Sequence, residues 1–442
     1  MSRKKKWARE LALSLVMVMV IGSVALAGVK AIRFMTEETD PKSVAFFSDL
    51  VAQFEKKYPG VKVFPEYVGV EDITLKFFSM VRAGIAPDLF YTGSDNTYKA
   101  YEMGALLPVD DLIEGFGDIP QNFLDVVTYD GHIYAVPIQS GGNFIWFRKD
   151  WFAQKGLTAP RTWGDMLKAA EALTDKAKGV YGIGLVGLST WHNQSNFIQR
   201  MWNAGGYFFD EQNRVALSTK YRKEALKTLA YEEALSKFAP PGFVGHGYME
   251  GRMGFVQEKT AMTMTSGRIP ADILRTNPKL DEPGIVGMVA TPIPDEGGRH
   301  VMWDGADMWA INADTKYPDV AKSFIKEFMS GDIYIRFLLS VPYHLWPTRA
   351  PYGTDPRFID DPLMVKHPDW VKLLKDTMKT RIDFSMEHPG VFNPRFGEIL
   401  GGRAMGDAIN AFFAGTLSAE EVLDETAEAW QDITGGELAP TD

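Results

Sequence analysis

Residues 29–68, VKAIRFMTEETDPKSVAFFSDLVAQFEKKYPGVKVFPEYV, place an amphipathic helix between two strand patterns. Residues 29–35 and 61–68 have the apolar, β-branched and aromatic content that is typical of strands. Between them, apolar residues recur at helical spacing until Tyr58-Pro59-Gly60 ends the helix. The apolar positions of this helix are Val44, Phe47, Leu50, Val51 and Phe54. A strand, a helix and a second strand close most simply as a right-handed crossover of a parallel sheet, so the stretch predicts an α/β fold.

The same alternation of strands and helices continues along the chain. We expect a strand at 85–93, a hairpin at 129–138, and helices at 159–174 and 316–330. The hairpin is indicated by Asp130-Gly131 between alternating residues, and the third of these segments opens with Thr162 and Asp165 spaced as a capping box. The chain has 442 residues, which is too long for one compact core. With no repeat or long linker, the pattern favours an α/β protein of two closely connected lobes.

The first residues read as a targeting segment. Residues 3–9 are rich in lysine and arginine, residues 11–26 are apolar and uncharged, and Ala25-Leu26-Ala27 is a signal-peptidase pattern. We therefore expect residues 1–27 to be a cleaved secretory signal, with Gly28 starting the mature chain. An uncleaved membrane anchor is the alternative, although the apolar run is shorter than the ~20 residues that span a bilayer.

Composition excludes several classes of site. The chain has no cysteine, which excludes lipid attachment after the signal, disulfides and cysteine-ligated metals. Removing five basic residues and one acidic residue with the signal moves the formal net charge from −10 to −14. An acidic chain without a basic aromatic stripe repels phosphate backbones, so we expect no nucleic-acid partner.

No motif in the chain indicates catalysis. Gly182, Gly184 and Gly187 match G-x-G-x-x-G, but the segment is itself strand-like and does not open a helix, so we expect no dinucleotide cofactor. The seven histidines show no metal-ligand spacing, and no nucleophile-elbow motif occurs. Two facing carboxylates would make a glycoside hydrolase, and that alternative stays open. We expect a binding protein without an enzyme activity, a metal or a cofactor.

An ordered set of segments resembles one family. These are FEKKYPGVKV (54–63), APDLFYTGSDNTYKAYEMGALLPVDDL (86–112), YDGHIYAVPI (129–138), WFRKDWFAQKGL (146–157), PRTWGDMLKAAEALT (160–174), MWNAGG (201–206), EKTAMTMTSG (258–267) and DVAKSFIKEFMSG (319–331). Together they resemble the extracellular solute-binding proteins of bacterial ABC importers, in the sugar-binding group that includes maltose-binding protein. The resemblance covers nearly all of the mature chain.

The resemblance implies a type II periplasmic-binding-protein fold, in which two α/β lobes are joined by three crossing hinge segments. By matching motifs, the crossings fall near 139–142, 299–304 and 342–347. The amino-terminal lobe would comprise 29–139 plus 304–343. The carboxy-terminal lobe would comprise 140–303 plus 344–442. The family further implies a periplasmic or extracytoplasmic monomer that captures a carbohydrate and delivers it to a membrane permease.

The residue types for such a ligand are present. Aromatic rings cover the apolar faces of sugars, while amides and carboxylates bind the hydroxyls. The stretch LSTWHNQSNFIQRMWNAGG (188–206) is rich in rings and amides, and the family places the loop before the MWNAGG helix at the cleft. The candidates for ligand binding are Glu37, Glu38, Asp95, Trp191, His192, Asn193, Arg268, Trp303, Asp304, Asp307, Tyr343 and Trp346.

Three positions depart from the family pattern. Arg268 follows TMTSG where the family usually has a tryptophan, and Trp146 and Arg148 replace a usual tyrosine and asparagine. Arginine can stack on a ring, but it also binds carboxylate or phosphate with two hydrogen bonds. An anionic ligand, such as a sugar acid, a sugar phosphate or a glycerol phosphate derivative, is therefore the alternative to a neutral carbohydrate.

Overall fold

The computed structural model describes residues 28–70, 72–303 and 305–441. The expected signal, residues 1–27, lies outside the described residues, as does the ligand candidate Asp304. Within the described ranges, no helix is long and apolar enough to cross a membrane.

The strands are short and occur mainly in the first two thirds of the chain. They are β1 (Lys30–Thr36), β2 (Val61–Tyr67), β3 (Leu89–Gly93), β4 (Thr128–Tyr129), β5 (His132–Ile133), β6 (Val136–Gln139), β7 (Asn143–Arg148), β8 (Met262–Ser266), β9 (Val286–Val289), β10 (Met302–Trp303), β11 (Asp307–Ile311) and β12 (Arg381–Ile382).

Helices connect and cover these strands. They are α1 (Pro41–Lys57), α2 (Ile73–Arg82), α3 (Ser94–Glu102), α4 (Asp110–Phe116), α5 (Gln121–Leu124), α6 (Lys149–Gln154), α7 (Trp163–Leu173), α8 (Trp191–Asn203), α9 (Arg222–Ser236), α10 (Tyr248–Val256), α11 (Ile269–Thr276), α12 (Pro318–Phe328), α13 (Gly331–Leu338), α14 (Pro356–Ile359), α15 (Pro362–Val365), α16 (Pro368–Thr377), α17 (Phe396–Gly401), α18 (Ala404–Phe413) and α19 (Ala419–Thr434). Short 3-10 turns lie at Asp125–Val127, Lys176–Lys178, Phe243–Gly245, Pro278–Asp281, Ala350–Thr354, Met378–Thr380 and Phe384–Met386.

The first sheet has the strand order β2-β1-β3-β11-β6. β1 pairs in parallel with β2 along its whole length, and α1 packs Phe47, Leu50 and Phe54 beneath them, which confirms the predicted strand–helix–strand unit. Strand β11 runs antiparallel to both β3 and β6. Its first residue, Asp307, therefore lies opposite Gly93 and Gln139, the last residues of β3 and β6. Polar residues from all these strand ends meet at one edge of the sheet.

The second sheet has the order β8-β7-β9, with both outer strands antiparallel to β7. Asn143, which begins β7, lies opposite Ser266, which ends β8. Both residues therefore lie at the edge of the second sheet where the chain enters from the first sheet.

Three segments connect the two lobes, as the fold class requires. Residues 140–142 join β6 of the first sheet to β7 of the second, and residues 305–306 precede β11 of the first sheet. The third segment lies beside the first: Ser140 N–H donates to the Trp346 carbonyl at 2.8 Å, and Trp346 N–H donates to the Ser140 carbonyl at 2.9 Å. Reciprocal backbone bonds hold these two crossings side by side.

Local sequence signals are confirmed at two places, and a third has a packing explanation. The hairpin joins β4 to β5, and Asp130 and Gly131 have φ values of 50° and 81°, as a two-residue turn of this type demands. Thr162 and Asp165 form the reciprocal capping box of α7. The glycine triplet packs tightly: a side chain at Gly182 would meet the Ala170 carbonyl oxygen at 2.2 Å. Close packing against α7 therefore accounts for the glycine at position 182.

Candidate functional site

A group of hydrogen-bonded acids lies at the carboxyl edge of the first sheet. Glu38 follows β1 and has no exposed surface. The Tyr91 hydroxyl, from β3, lies 3.2 Å from Glu38 Oε1 and 2.9 Å from Asp307 Oδ2. Gln139 Nε2, at the end of β6, donates to the Tyr91 oxygen at 3.2 Å and also to Asp307 Oδ2. Residues in or directly after four strands of the first sheet thus contribute to one network.

Charge is concentrated in this network. Burial raises the pKa of Asp307 well above its usual range, and the neighbouring carboxylates of Glu37 and Glu38 raise it further. Burial also raises the pKa of Tyr91, with Asp307 and Glu38 adding to the effect. Mutual repulsion among the acids therefore favours a neutral Asp307 when nothing is bound beside it.

Arg268 reaches this network from the other lobe. It follows β8 and precedes α11, and its side chain is 14% exposed. Its Nη2 donates to Glu38 Oε1 at 2.7 Å, and its Nη1 pairs with Asp40. Glu38 and Asp40 raise the pKa of the guanidinium, against the opposing effect of its burial. The positive charge that suggested an anionic ligand is therefore already matched by two carboxylates within the protein.

Aromatic side chains form a second group beside Arg268. The His192 ring stacks on Tyr248 with centroids 3.8 Å apart and an interplanar angle of 11°. The centroid of the Trp191 ring lies 4.4 Å from that of Trp303 and 5.0 Å from that of His192. Trp191 is 36% exposed, which is unusual for a tryptophan in contact with other rings. Of these rings, Trp191 presents exposed apolar surface at the start of α8.

The two groups are linked through Tyr248 and Arg268. Tyr248 interacts electrostatically with Arg268, and its hydroxyl lies 2.8 Å from Ser266 Oγ, at the end of β8. The ring contacts continue from Tyr248 through His192 and Trp191 to Trp303, which precedes Asp307 by four residues in the sequence. We call this set the interlobe ring; its members are Glu38, Tyr91, Gln139, Trp191, His192, Tyr248, Arg268, Trp303 and Asp307.

Three buried polar atoms of the interlobe ring have no hydrogen-bond partner among the described residues. They are Glu38 Oε2, Gln139 Oε1 and Trp303 Nε1. A buried polar atom without a partner costs about 1–3 kcal/mol, so such atoms are rare unless something else binds them. Two acceptors among the acids and one donor among the aromatic rings are groups that a small polar ligand can satisfy.

The sequence placed Trp191, His192 and Asn193 on a loop, and that was wrong. They form the first turn of α8, with Thr190 as its cap. Asn193 is buried; its side chain accepts from the Thr190 backbone N–H and donates to the Gly406 carbonyl at 3.1 Å. It closes a capping box and holds α18 to α8, so its polar groups are occupied within the protein.

Tyr343 and Trp346 also lie in the protein interior rather than on the interlobe ring. The Tyr343 hydroxyl donates to the Leu363 carbonyl, and its ring packs 5.2 Å from Trp370. Trp346 packs 5.5 Å from Phe358. Hinge packing therefore accounts for the contacts of both aromatic residues, and their role in ligand binding stays a prediction.

Asp95 lies outside the interlobe ring, in the first turn of α3. Its Oδ1 accepts from the Asn96 backbone N–H at 2.9 Å, and burial raises its pKa to about 6. A side chain at Gly397 would meet the Asp95 carbonyl at 2.2 Å, so α17 packs directly over this position. Glu37, by contrast, belongs with the interlobe acids, because its charge acts on both Asp307 and Tyr91.

The other two departures from the family pattern are structural. Trp146 is fully buried and its Nε1 donates to the Ser266 carbonyl at 3.0 Å. Arg148 pairs with Asp150 and Glu258 at 2.6 Å each. In the described part of the chain, no group of three histidine, aspartate or glutamate side chains could hold a metal ion.

Sequence reasoning missed Tyr91, Gln139 and Tyr248. Tyr91 and Gln139 belong to apolar strand patterns and read as core residues, and Tyr248 begins a helix without any motif. The only available signal was position: Gln139 is a polar residue that ends a strand at a predicted crossing.

Comparison with known proteins points to one family. The family model described as bacterial extracellular solute-binding protein matches residues 39–332. A putative ABC transporter periplasmic-binding protein of Escherichia coli is 28% identical over 257 residues, which are 56% of this chain and 58% of that protein. A mannitol-binding protein of Pseudomonas aeruginosa is 28% identical over 224 residues, 49% of each chain. The chain thus matches about half the length of these two relatives.

Solved structures match over almost the whole chain. A solute-binding protein from Thermotoga lettingae bound with α-D-tagatose superposes with a TM-score of 0.79 at 21% identity, covering 91% of this chain and 99% of that one. One from Agrobacterium radiobacter in complex with ribitol gives a TM-score of 0.76 at 22% identity, covering 91% and 98%. These likenesses show the two-lobed type II fold. Because the family model matches about two thirds of this chain, the chain is a member of the bacterial extracellular solute-binding protein family.

Proposed function

We propose that this protein is the exported substrate-binding component of an ABC importer, and that it captures a carbohydrate between its two lobes. The observation that carries the proposal is the interlobe ring. It combines rings that can cover the apolar face of a sugar with unpartnered acceptors that can bind hydroxyls. The proteins named above as binding tagatose, ribitol and mannitol support the same ligand class.

The capture is reversible and needs no chemistry. We assign residues 29–139 plus 304–343 to one lobe and 140–303 plus 344–442 to the other. Because residues of both lobes form the interlobe ring, a ligand held there contacts both lobes only in the closed state, and binding shifts the population toward closure. The closed monomer then docks on the membrane permease at the extracytoplasmic side, after residues 1–27 have been removed.

The two alternatives have less support. An anionic ligand was suggested by Arg268, whose charge Glu38 and Asp40 already match. A glycoside hydrolase needs two carboxylates that flank the scissile bond. Here Glu38 and Asp307 bond to the same tyrosine hydroxyl at one edge of one sheet, so they do not face each other across a space for a sugar. Turnover of a chromogenic glycoside by the pure protein would contradict the proposal.

A thermal-shift screen tests the proposal. The mature protein, refolded to remove any bound ligand, is screened against mono-, di- and oligosaccharides and polyols. Ligand at a hundred times its dissociation constant adds ~2.7 kcal/mol of stability, which is about 3 °C for a chain of this length. We expect a carbohydrate to give this shift, Trp191→Ala to lose it, and the exposed-site control Asp319→Asn to keep it. No shift across the panel, or a shift that Trp191→Ala leaves intact, would contradict the proposal.

A further inference from the structure

Arg252 lies on α10, beside the aromatic part of the interlobe ring. It follows Tyr248 by four residues, so the two side chains lie on the same face of the helix. The guanidinium carbon lies 4.5 Å from the centre of the Tyr248 ring, and Nη1 donates to the Tyr248 hydroxyl at 3.1 Å. Arg252 therefore contacts Tyr248 both at its ring and at its hydroxyl.

The Arg252 side chain is itself fixed within the protein. It is 6% exposed, and its Nε lies 2.7 Å from Oδ2 of Asp272, whose side chain is 1% exposed. Its Nη2 donates to Met249 Sδ at 3.2 Å. All three guanidinium nitrogens thus face partners in the protein, and almost none of the side chain is accessible to a ligand. Arg252 can act on a bound carbohydrate only through the groups that it contacts.

Tyr248 contacts two further rings in turn. His192 stacks on Tyr248 with centroids 3.8 Å apart, and Trp191 meets His192 edge to face at 5.0 Å. We call Tyr248, His192 and Trp191 the aromatic row. Trp191, at its end, is 36% exposed and so offers surface to a ligand. Because the geometry of an aromatic pair depends on how both rings are oriented, a change in the Tyr248 ring alters the support of Trp191.

The aromatic row and Arg252 belong to one lobe. Trp191 and His192 lie on α8, and Tyr248 and Arg252 lie on α10, all within residues 140–303. The row is therefore arranged before the two lobes close. Side chains that are already ordered lose less conformational entropy when a ligand binds, and this raises the affinity.

We propose that Arg252 is a positioning residue of the carbohydrate site: its guanidinium holds Tyr248, and through Tyr248 and His192 it fixes the Trp191 ring against which the carbohydrate lies. This inference rests on the proposed function and adds a residue to it. Lysine at position 252 keeps a positive charge for Asp272. Its ammonium is a point charge rather than a planar fork, so it does not reproduce the guanidinium contacts with the Tyr248 ring and hydroxyl.

Fluorine NMR of protein labelled with 5-fluorotryptophan follows the Trp191 ring directly, and Trp191→Phe assigns its resonance. We expect Arg252→Lys to shift or broaden this resonance in the ligand-free protein. Arg148→Lys is the matched control, because Arg148 is also buried, pairs with two carboxylates and lies 4.2 Å from the Trp151 ring, outside the interlobe ring. It should leave the Trp191 resonance unchanged.

Titration calorimetry with D-tagatose, ribitol and D-mannitol measures the effect on binding. We expect Arg252→Lys to weaken the tightest of these probes at least fivefold. Arg148→Lys should leave its affinity unchanged, although both substitutions lower the thermal midpoint. Tyr248→Ala should also weaken binding, and adding Arg252→Lys to it should weaken binding no further, because the effect of Arg252 passes through Tyr248.

The outcomes separate this inference from the proposed function. An affinity or a Trp191 resonance that Arg252→Lys leaves unchanged would overturn the inference while carbohydrate capture stands. Equal weakening by Arg148→Lys would show a general loss of stability instead of positioning, and further weakening on top of Tyr248→Ala would show that Arg252 acts independently of Tyr248; either result overturns the inference. If neither these probes nor any carbohydrate in the thermal-shift screen binds, the proposed function fails and this inference fails with it.

Discussion

Replacing Arg268 by glutamine should open the ligand-free protein. Arg268 bonds Glu38, which has no exposed surface, so removing the guanidinium leaves a buried carboxylate without its counter-ion. Breaking a buried ion pair in this way typically costs ~3–5 kcal/mol. The protein can avoid that cost by separating the lobes, because Glu38 and Asp40 are then hydrated. A penalty of ~3 kcal/mol on the closed form alone shifts the open-to-closed ratio more than a hundredfold.

Small-angle X-ray scattering of the ligand-free protein measures this change. We expect Arg268→Gln to have a larger radius of gyration than the unaltered protein. Arg336→Gln is the matched control, because Arg336 pairs with Asp49 inside one lobe and should leave the radius unchanged. The double variant Glu38→Gln, Arg268→Gln, with no stranded charge, should return toward the compact form. Identical scattering from Arg268→Gln and the unaltered protein would refute the reasoning that this pair holds the lobes together.

Three further expectations concern stability, pH and affinity. Gly267→Ala would place a methyl group 1.9 Å from the Tyr343 carbonyl oxygen, so chemical denaturation should show a free energy of unfolding that is lower by at least ~2 kcal/mol. Gly115 lies in α4, and nothing lies within 4 Å of a methyl group added there, so Gly115→Ala should instead raise the free energy of unfolding by ~0.5–1 kcal/mol. Burial raises the pKa of Asp95 in the folded protein to about 6, above the value of about 4 that aspartate has in an unfolded chain. The protonated Asp95 carboxyl therefore stabilises the folded protein fully below pH ~4, and this stabilisation is lost as the pH rises through the folded-state pKa. Asp95→Asn should therefore be more stable than the unaltered protein at pH 7, by up to ~3 kcal/mol, with the gap closing toward pH 4 in denaturation series; a constant gap would contradict this. Trp191→Ala should weaken carbohydrate binding about tenfold, or ~1.4 kcal/mol, while the thermal midpoint of the ligand-free variant changes little. If calorimetry shows an unchanged affinity, Trp191 does not belong to the binding site.

Local patterns predicted the first sheet well. The helical spacing of Phe47, Leu50 and Phe54 involves residues within two turns of one helix, so it can be read from the sequence. The structure packs these side chains under a parallel pair of strands, as expected. The Asp130-Gly131 turn formed for the same reason, because it depends on the backbone preferences of two residues. Where the decisive physics is local, sequence reasoning was sufficient.

Partners distant in sequence explain what could not be predicted. The Tyr343 hydroxyl is satisfied by Leu363, and nothing around Tyr343 indicates that contact. Arg268 was a candidate for binding an anion until the structure placed Glu38, 230 residues away in sequence, beside it. Asn193 is different: Thr190 and Asn193 have the spacing of a capping box, so its buried role could have been read from local sequence.

We propose that a carbohydrate lies within the interlobe ring, in contact with both lobes. The most direct measurement is a crystal structure of the mature protein with the carbohydrate that gives the largest thermal shift. We expect ligand density between the acids at Glu38 and the rings at Trp191, with hydrogen bonds to Glu38 Oε2, Gln139 Oε1 and Trp303 Nε1. Density at any other place on the protein, or a ligand in the cleft that leaves all three atoms unpartnered, would contradict it.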